Sequence, residues 1–212
     1  MSNIVVILSP TNEGSEVRMK ETQDAADQVG QIDLRIVDSE QPLEDVAEQC
    51  QGAVVVVPHG KYDELTELAE KISTLKLVQT PSAGTDWIDK AALAELGVDV
   101  ANNGGANAVA VAEHAIGLMF STNRKLDVQI ESVKQGTWMT GVEGDRTEFH
   151  TLVGKRIGII GLGRIGSRVA KRLAGWECEL VYHDIIDHPV DYVAATGAKK
   201  ISLDELISTS DI

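Results

Sequence analysis

Hydrophobic residues in this chain fall into short unmixed runs separated by polar or mixed segments, and over the first hundred positions the alternation is regular. Ile4-Val5-Val6-Ile7-Leu8 is stopped by Ser9-Pro10, and Ala53-Val54-Val55-Val56-Val57 is stopped by Pro58. Continuous apolar runs of this length predict strands buried on both faces. Shorter runs at Leu34 to Val37, Leu77 to Gln79 and Val98 to Val100 predict three more. The segments between have helical character. Residues 13–29 are charged with few apolar positions and predict a solvent-facing helix, and Pro42 to Gln49 carries proline in its first turn. Leu65, Leu68 and Ile72 recur on one helical face, which predicts a helix laid over the sheet. Ile88 to Leu96 predicts another, closed by Gly97. Strands and helices in alternation predict a parallel, doubly wound sheet.

Asn102-Asn103-Gly104-Gly105 is the natural boundary, two turn-prone residues and two glycines between a strand and a helix. It divides the chain into domains 1–101 and 102–212. An Ala/Val-rich helix runs from Ala106 to about Asn123, and a second follows to about Lys134. Residues 135–152 predict a long surface connection with Gly136, Gly141 and Gly144, anchored by Trp138. A strand at Arg156 to Ile160 then enters Gly161-Leu162-Gly163-Arg164-Ile165-Gly166, an Ala/Arg/Leu helix follows, and a second strand, Glu179 to His183, ends in Asp184. Beyond it come a loop at Asp187-His188-Pro189, a short strand near Ala198 to Ile201, and a helix from Ser202 with Glu205 at the capping-box position. Ser210-Asp211-Ile212 reads as the approach to another strand. A full dinucleotide fold needs six strands. The second domain is therefore expected to be incomplete and the chain to be part of a longer protein.

The glycine turn carries the chemistry. Gly161 permits a sharp turn, Gly163 lets backbone approach a pyrophosphate, and Gly166 lets the helix pack close on the strand. The helix N-terminus then offers unpaired N–H groups and a positive dipole end to the anion. Asp184 follows at the roughly 20-residue spacing of an acid that accepts from ribose hydroxyls. The plainer alternative for Asp184 is a hydrogen bond to a local turn. The first domain has no such turn and is expected to hold something other than the nucleotide.

Composition narrows the class. With 19 basic against 33 acidic residues the net charge is −14. This excludes general affinity for nucleic acid or an anionic membrane surface. The acidity suits a halophilic source or an ordinary acidic cytosolic enzyme alike. No apolar run approaches a membrane span, so a cytoplasmic location is the default. Cys50 and Cys178 have no metal or redox spacing.

Three ordered stretches resemble the NAD-dependent D-isomer-specific 2-hydroxyacid dehydrogenases: Ser82 to Asp89, Ala106 to His114, and Val153 to Gly166. Ser202 to Leu206 with Ser210-Asp211 resembles that family's connection into its next strand. The resemblance implies an α/β protein of two doubly wound, Rossmann-like domains, the first a flavodoxin-like substrate domain. The implied activity is hydride transfer between NAD(H) and a small D-2-hydroxy or 2-keto acid. It implies that the amides of Ala83 and Gly84 hold the substrate carboxylate and that Asn107 lines the same cleft. It implies a cofactor site of Gly161, Gly163, Arg164, Ile165, Gly166 and Asp184, and a homodimer at full length. The family's catalytic Arg, Glu and His are expected beyond Ile212, so no catalytic residue is carried over. NAD-sensing co-repressors share the fold and form the alternative. Asn102-Asn103-Gly104-Gly105 departs from the family's Asn-x-Pro-Gly, and glycine in place of proline frees a backbone angle.

The remaining polar residues have plainer readings. Glu113-His114 are neighbours on a helix and do not face each other, so His114 is expected at a helix packing surface. His183 and His188 do not match zinc-ligand patterns. His59 reads as a turn residue at a strand's C-terminal end, and Lys61 and Arg124 as solvated charges.

Overall fold

The structure, a computed structural model, describes residues 3–10, 15–137 and 150–212. Trp138, Gly141 and Gly144, with residues 138–149 of the expected connection, lie outside the described residues. The chain forms two compact units, residues 1–104 and 105–212.

The first unit holds five strands, β1 (Asn3–Ser9), β2 (Ile32–Asp38), β3 (Ala53–Pro58), β4 (Leu77–Gln79) and β5 (Asp99–Ala101). They form one sheet in the order β2-β1-β3-β4-β5, and every pairing is parallel. This is the flavodoxin-like doubly wound order. Helices α1 (Ser15–Val29), α2 (Leu43–Gln49), α3 (Leu65–Lys71) and α4 (Lys90–Glu95) make the connections. Leu65, Leu68 and Ile72 are buried with Val6, Leu8, Val56 and Val78 in one core, as their spacing predicts. From Met19 to Val29, Ala26 alone is buried, which agrees with a solvent-facing α1.

Helix α4 starts two residues later than the apolar pattern suggests. Asp89 caps it, its carboxylate accepting from the Ala92 amide at 3.0 Å. Ile88 and Leu93, on either side of the cap, are both buried in the core, the arrangement of a hydrophobic staple. Gly97 closes the helix at φ +73°, a left-handed conformation that glycine adopts without a Cβ penalty.

In the second unit α5 (Ala108–Arg124) and α6 (Leu126–Lys134) precede β6 (Arg156–Ile160), α7 (Gly166–Leu173), β7 (Glu179–His183), α8 (Val190–Ala194), β8 (Lys199–Lys200) and α9 (Leu203–Thr209). The sheet is parallel in the order β6-β7-β8. Ser202 caps α9, its hydroxyl accepting from the Glu205 amide at 3.1 Å. Beyond α9 the chain turns along the free side of β6: the Asp211 amide donates to Arg156 O at 2.8 Å and the Gly158 amide to Ile212 O at 2.9 Å. The last residues thus lie on the side of β6 away from β7, where the next strand of a doubly wound sheet would pair. Gly158 makes the approach possible, since a Cβ there would lie 2.4 Å from Ser210 Oγ and 2.8 Å from Leu206 Cδ2. Helix α8 is an addition to the elements expected from sequence. None of its five residues is buried, so it leaves no periodic signal. Among the described residues no helix is long and apolar enough to cross a membrane.

Candidate nucleotide and carboxylate sites

The glycine turn sits at the C-terminal end of β6, where open α/β sheets bind ligands. Gly161 has φ +89°, and its amide donates to His183 O at 2.8 Å, locking the turn to the end of β7. At Gly166 a Cβ would meet Gly161 O at 2.1 Å and Ile159 Cγ2 at 2.9 Å, so this glycine sets how closely α7 approaches the strand. A Cβ on Gly163 would meet nothing within 4 Å. Gly161 thus makes the turn and Gly166 the close packing, while the space beside Gly163 is open.

The carbonyls of the turn are taken up by the protein. Tyr192 Oη donates to Leu162 O at 3.0 Å and Gly163 O at 3.2 Å. The Ser167 amide donates to Gly163 O, and Arg168 Nη1 to Arg164 O at 2.6 Å. The amides of Gly163, Ile165 and Gly166, by contrast, have no acceptor among the described residues. Acceptors tied inward and donors left open at a helix N-terminus make an anion cradle.

Asp184 closes the other side. Its Oδ2 accepts from the Leu162 amide at 2.7 Å and its Oδ1 from the Ile186 amide at 3.0 Å. His188 Nε2 lies 2.8 Å from Oδ2. The hydrogen bond from His188, then those from the Ile186 and Leu162 amides, hold the Asp184 carboxyl well below the usual range, at about 2. An ionised carboxylate only accepts, so Nε2 carries the proton. The His188 ring stacks on Tyr192, centroids 5.0 Å apart. Asp184 is thus both a local turn acceptor and a brace for the glycine turn.

In the first unit, the turn after β4 shows the same division of donors and acceptors. Thr80 Oγ1 and the Asn103 amide donate to Ser82 O, Asn102 Nδ2 donates to Ala83 O at 2.7 Å, and Ser82 Oγ donates to Gly84 O. No described residue accepts from the amides of Ala83 or Gly84. Asn107 occupies the N-cap of α5 with its side chain exposed and engaged in no capping bond. Gly105, at φ +93°, lies against Arg164, where a Cβ would meet Cδ at 2.7 Å.

The tempting polar residues separate as their positions require. Glu113 turns to α7 and pairs with Arg172 at 2.8 Å, while His114 is exposed instead of packed. The two point to different faces of α5 and form no acid–base pair. His183 Nδ1 meets Ile201 O at 3.2 Å. Lys61 pairs with Asp63, and the His59 amide donates to Leu8 O at 2.7 Å. Arg124 borders a cavity of about 330 Å³ with Phe120, His150 and Trp176. Among the described residues no His, Cys, Asp and Glu side chains gather as metal ligands.

Comparison with known proteins gives this geometry its relatives. Residues 116–212 match the NAD binding domain of the D-isomer specific 2-hydroxyacid dehydrogenases. Over these residues the chain carries that family's NAD binding domain. A family member from Archaeoglobus fulgidus, a D-3-phosphoglycerate dehydrogenase, is 35% identical over 162 residues, 76% of this chain and 29% of the relative. A hydroxypyruvate reductase of Thermotoga maritima is 34% identical over 161 residues, 74% of this chain and 49% of the relative. The chain thus spans less than half the length of these two relatives. Among solved structures, an NAD-dependent formate dehydrogenase from Staphylococcus aureus in complex with NAD matches with a TM-score of 0.73 and 30% identity, over 99% of this chain and 63% of the other.

The matched residues include the whole glycine turn and Asp184, and the site accommodates the family's cofactor. Three amides of the turn have no acceptor among the described residues, the space beside Gly163 is open, and an ionised acid stands at the end of the neighbouring strand. Ala83, Gly84 and Asn107 lie outside the matched stretch. Sequence reasoning misses three supports of these sites: His188, Tyr192 and Asn102. An Asp and a His four residues apart in a loop are a possible signal for the first. Nothing in the sequence marks the Tyr192 contact, which reaches back 30 residues.

Proposed function

We propose that the protein transfers hydride between NAD(H) and a small D-2-hydroxy or 2-keto acid, with residues 102–212 holding the dinucleotide and residues 1–101 the acid. The observation that carries this reading is the pairing of acceptor-free amides at Gly163, Ile165 and Gly166 with the ionised Asp184. The amides and the positive end of α7 bind the pyrophosphate, and Asp184 Oδ1 accepts from the adenine ribose. The bound dinucleotide supplies the hydride donor or acceptor. The amides of Ala83 and Gly84 orient the substrate through its carboxylate, in a turn held by Asn102 and Asn103. Glu113 and His114 take no part in proton transfer, because they face apart. In keeping with the family, we assign the active form to a cytoplasmic homodimer.

A carboxylate at the ribose repels the 2′-phosphate of NADP. Titration of the full-length protein with NADH and NADPH is expected to show tighter binding of NADH, and turnover of a panel of small 2-keto acids is expected with NADH. Equal or better binding of NADPH would sink the role given to Asp184. Binding of NADH without turnover of any 2-keto acid would leave the nucleotide site standing and remove the activity.

A further inference from the structure

Cofactor discrimination at a ribose acid depends on the charge the acid presents, and in this chain the acid does not stand alone. His188 Nε2 hydrogen-bonds Asp184 Oδ2 at 2.8 Å, in a pair whose side chains are 15% and 10% exposed. The contact is shielded from solvent, and the imidazole is seated against Tyr192 of α8. The other charges near the pair are Asp187, in the same loop, and Lys200 at the end of β8, which pairs with Asp187. They offset one another, so His188 is the group that decides the net charge beside Asp184. The loop after β7 carries no arginine, the residue that accommodates a 2′-phosphate in NADP-binding relatives of this fold.

We propose that His188 is a specificity-determining residue of the nucleotide site: held on Asp184, its imidazole sets how strongly the aspartate rejects a 2′-phosphate, and does so as a function of pH. The proposal rests on the nucleotide reading of the glycine turn and Asp184. With the imidazole neutral, the pair presents a full negative charge to the ribose and NADPH is rejected. With it protonated, the pair is neutral overall and a cation lies one hydrogen bond from the acid. Histidine is the side chain whose ordinary charge change falls between pH 5 and 8. One unit of charge at this range, part-shielded from water, is worth about a tenfold change in the ratio of NADPH to NADH dissociation constants.

The test measures both dissociation constants by fluorescence titration of the full chain at pH 5.5 and 8.5, for the wild type and for His188→Gln, which keeps an N–H donor and cannot take a charge. The 2′-phosphate itself titrates near pH 6, and its share is the pH dependence that remains in His188→Gln. The expected result is a wild-type ratio that falls about tenfold more between pH 8.5 and 5.5 than the variant's. At pH 8.5 the two ratios should agree. The same pH dependence in both proteins overturns the role of His188 while leaving Asp184 and the glycine turn intact. Failure of the wild type to bind either dinucleotide overturns the nucleotide reading and this inference with it.

Discussion

Replacing Gly166 by alanine separates the packing role of the glycine turn from its ligand role. The new Cβ would lie 2.1 Å from Gly161 O and 2.9 Å from Ile159 Cγ2. The first distance is about 0.9 Å short of the closest approach a real Cβ makes, and its partner is backbone that cannot swing aside. Either α7 backs away from β6 or the turn opens. Overpacking of this kind costs about 1–3 kcal/mol, or roughly 4 °C of melting temperature for each kcal/mol in a unit of this size. Because the Gly163, Ile165 and Gly166 amides ride on the same turn, NADH affinity should fall at least tenfold, about 1.4 kcal/mol. Gly163→Ala is the contrast. Its Cβ meets no atom within 4 Å and its φ is not positive, so stability should change by less than about 0.5 kcal/mol, yet NADH affinity should drop because the methyl stands where the pyrophosphate approaches. Thermal unfolding and NADH titration of the two variants provide the assay. A Gly166→Ala protein that melts like wild type, or a Gly163→Ala protein destabilised as much as Gly166→Ala, would refute the division of roles.

The folded-state carboxyl of Asp184, at about 2, lies below its ordinary unfolded value. Its contribution to stability is therefore complete above about pH 4 and lost as pH falls toward 2, and Asp184→Asn should flatten acid unfolding over that window. A Cβ added at Gly84 meets no neighbouring atom within 4 Å, so Gly84→Val should leave NADH affinity nearly unchanged while weakening 2-keto acid binding; equal losses for both ligands would remove the role given to this turn. Ser202→Ala deletes the acceptor of the Glu205 amide and should cost about 1 kcal/mol, read from denaturant unfolding.

The elements that sequence reveals are those whose burial writes a pattern. Ala53 to Val57 forms an unbroken apolar run because β3 lies between β1 and β4 in the sheet, and Leu65, Leu68 and Ile72 keep helical spacing because one face of α3 lies on the core. The glycine turn is legible for a different reason: a left-handed φ at Gly161 and a missing Cβ at Gly166 are demands that few residues meet. Polar supports write no such pattern. Asn102 sits in a stretch that reads as a boundary turn, yet its Nδ2 holds Ala83 O at 2.7 Å. A hydrogen bond across 19 residues is a product of the fold, and no local spacing announces it.

The same contrast explains why Asp184 is found from sequence and its surroundings are not. The aspartate follows a strand at a fixed distance from the glycines, which the length of one helix and one strand imposes. His188 and Tyr192 follow it in a loop and in a helix with no fully buried residue. Both nevertheless act on the turn, His188 through Asp184 Oδ2, which Leu162 shares, and Tyr192 through Leu162 O and Gly163 O. Leu162 therefore has its amide held from one side and its carbonyl from the other, and the turn is fixed before any ligand arrives. Preorganisation of this kind lowers the ordering cost of binding. It also means that a change in the loop after β7, remote in sequence from every glycine, alters the grip on the pyrophosphate as well as the choice at the ribose.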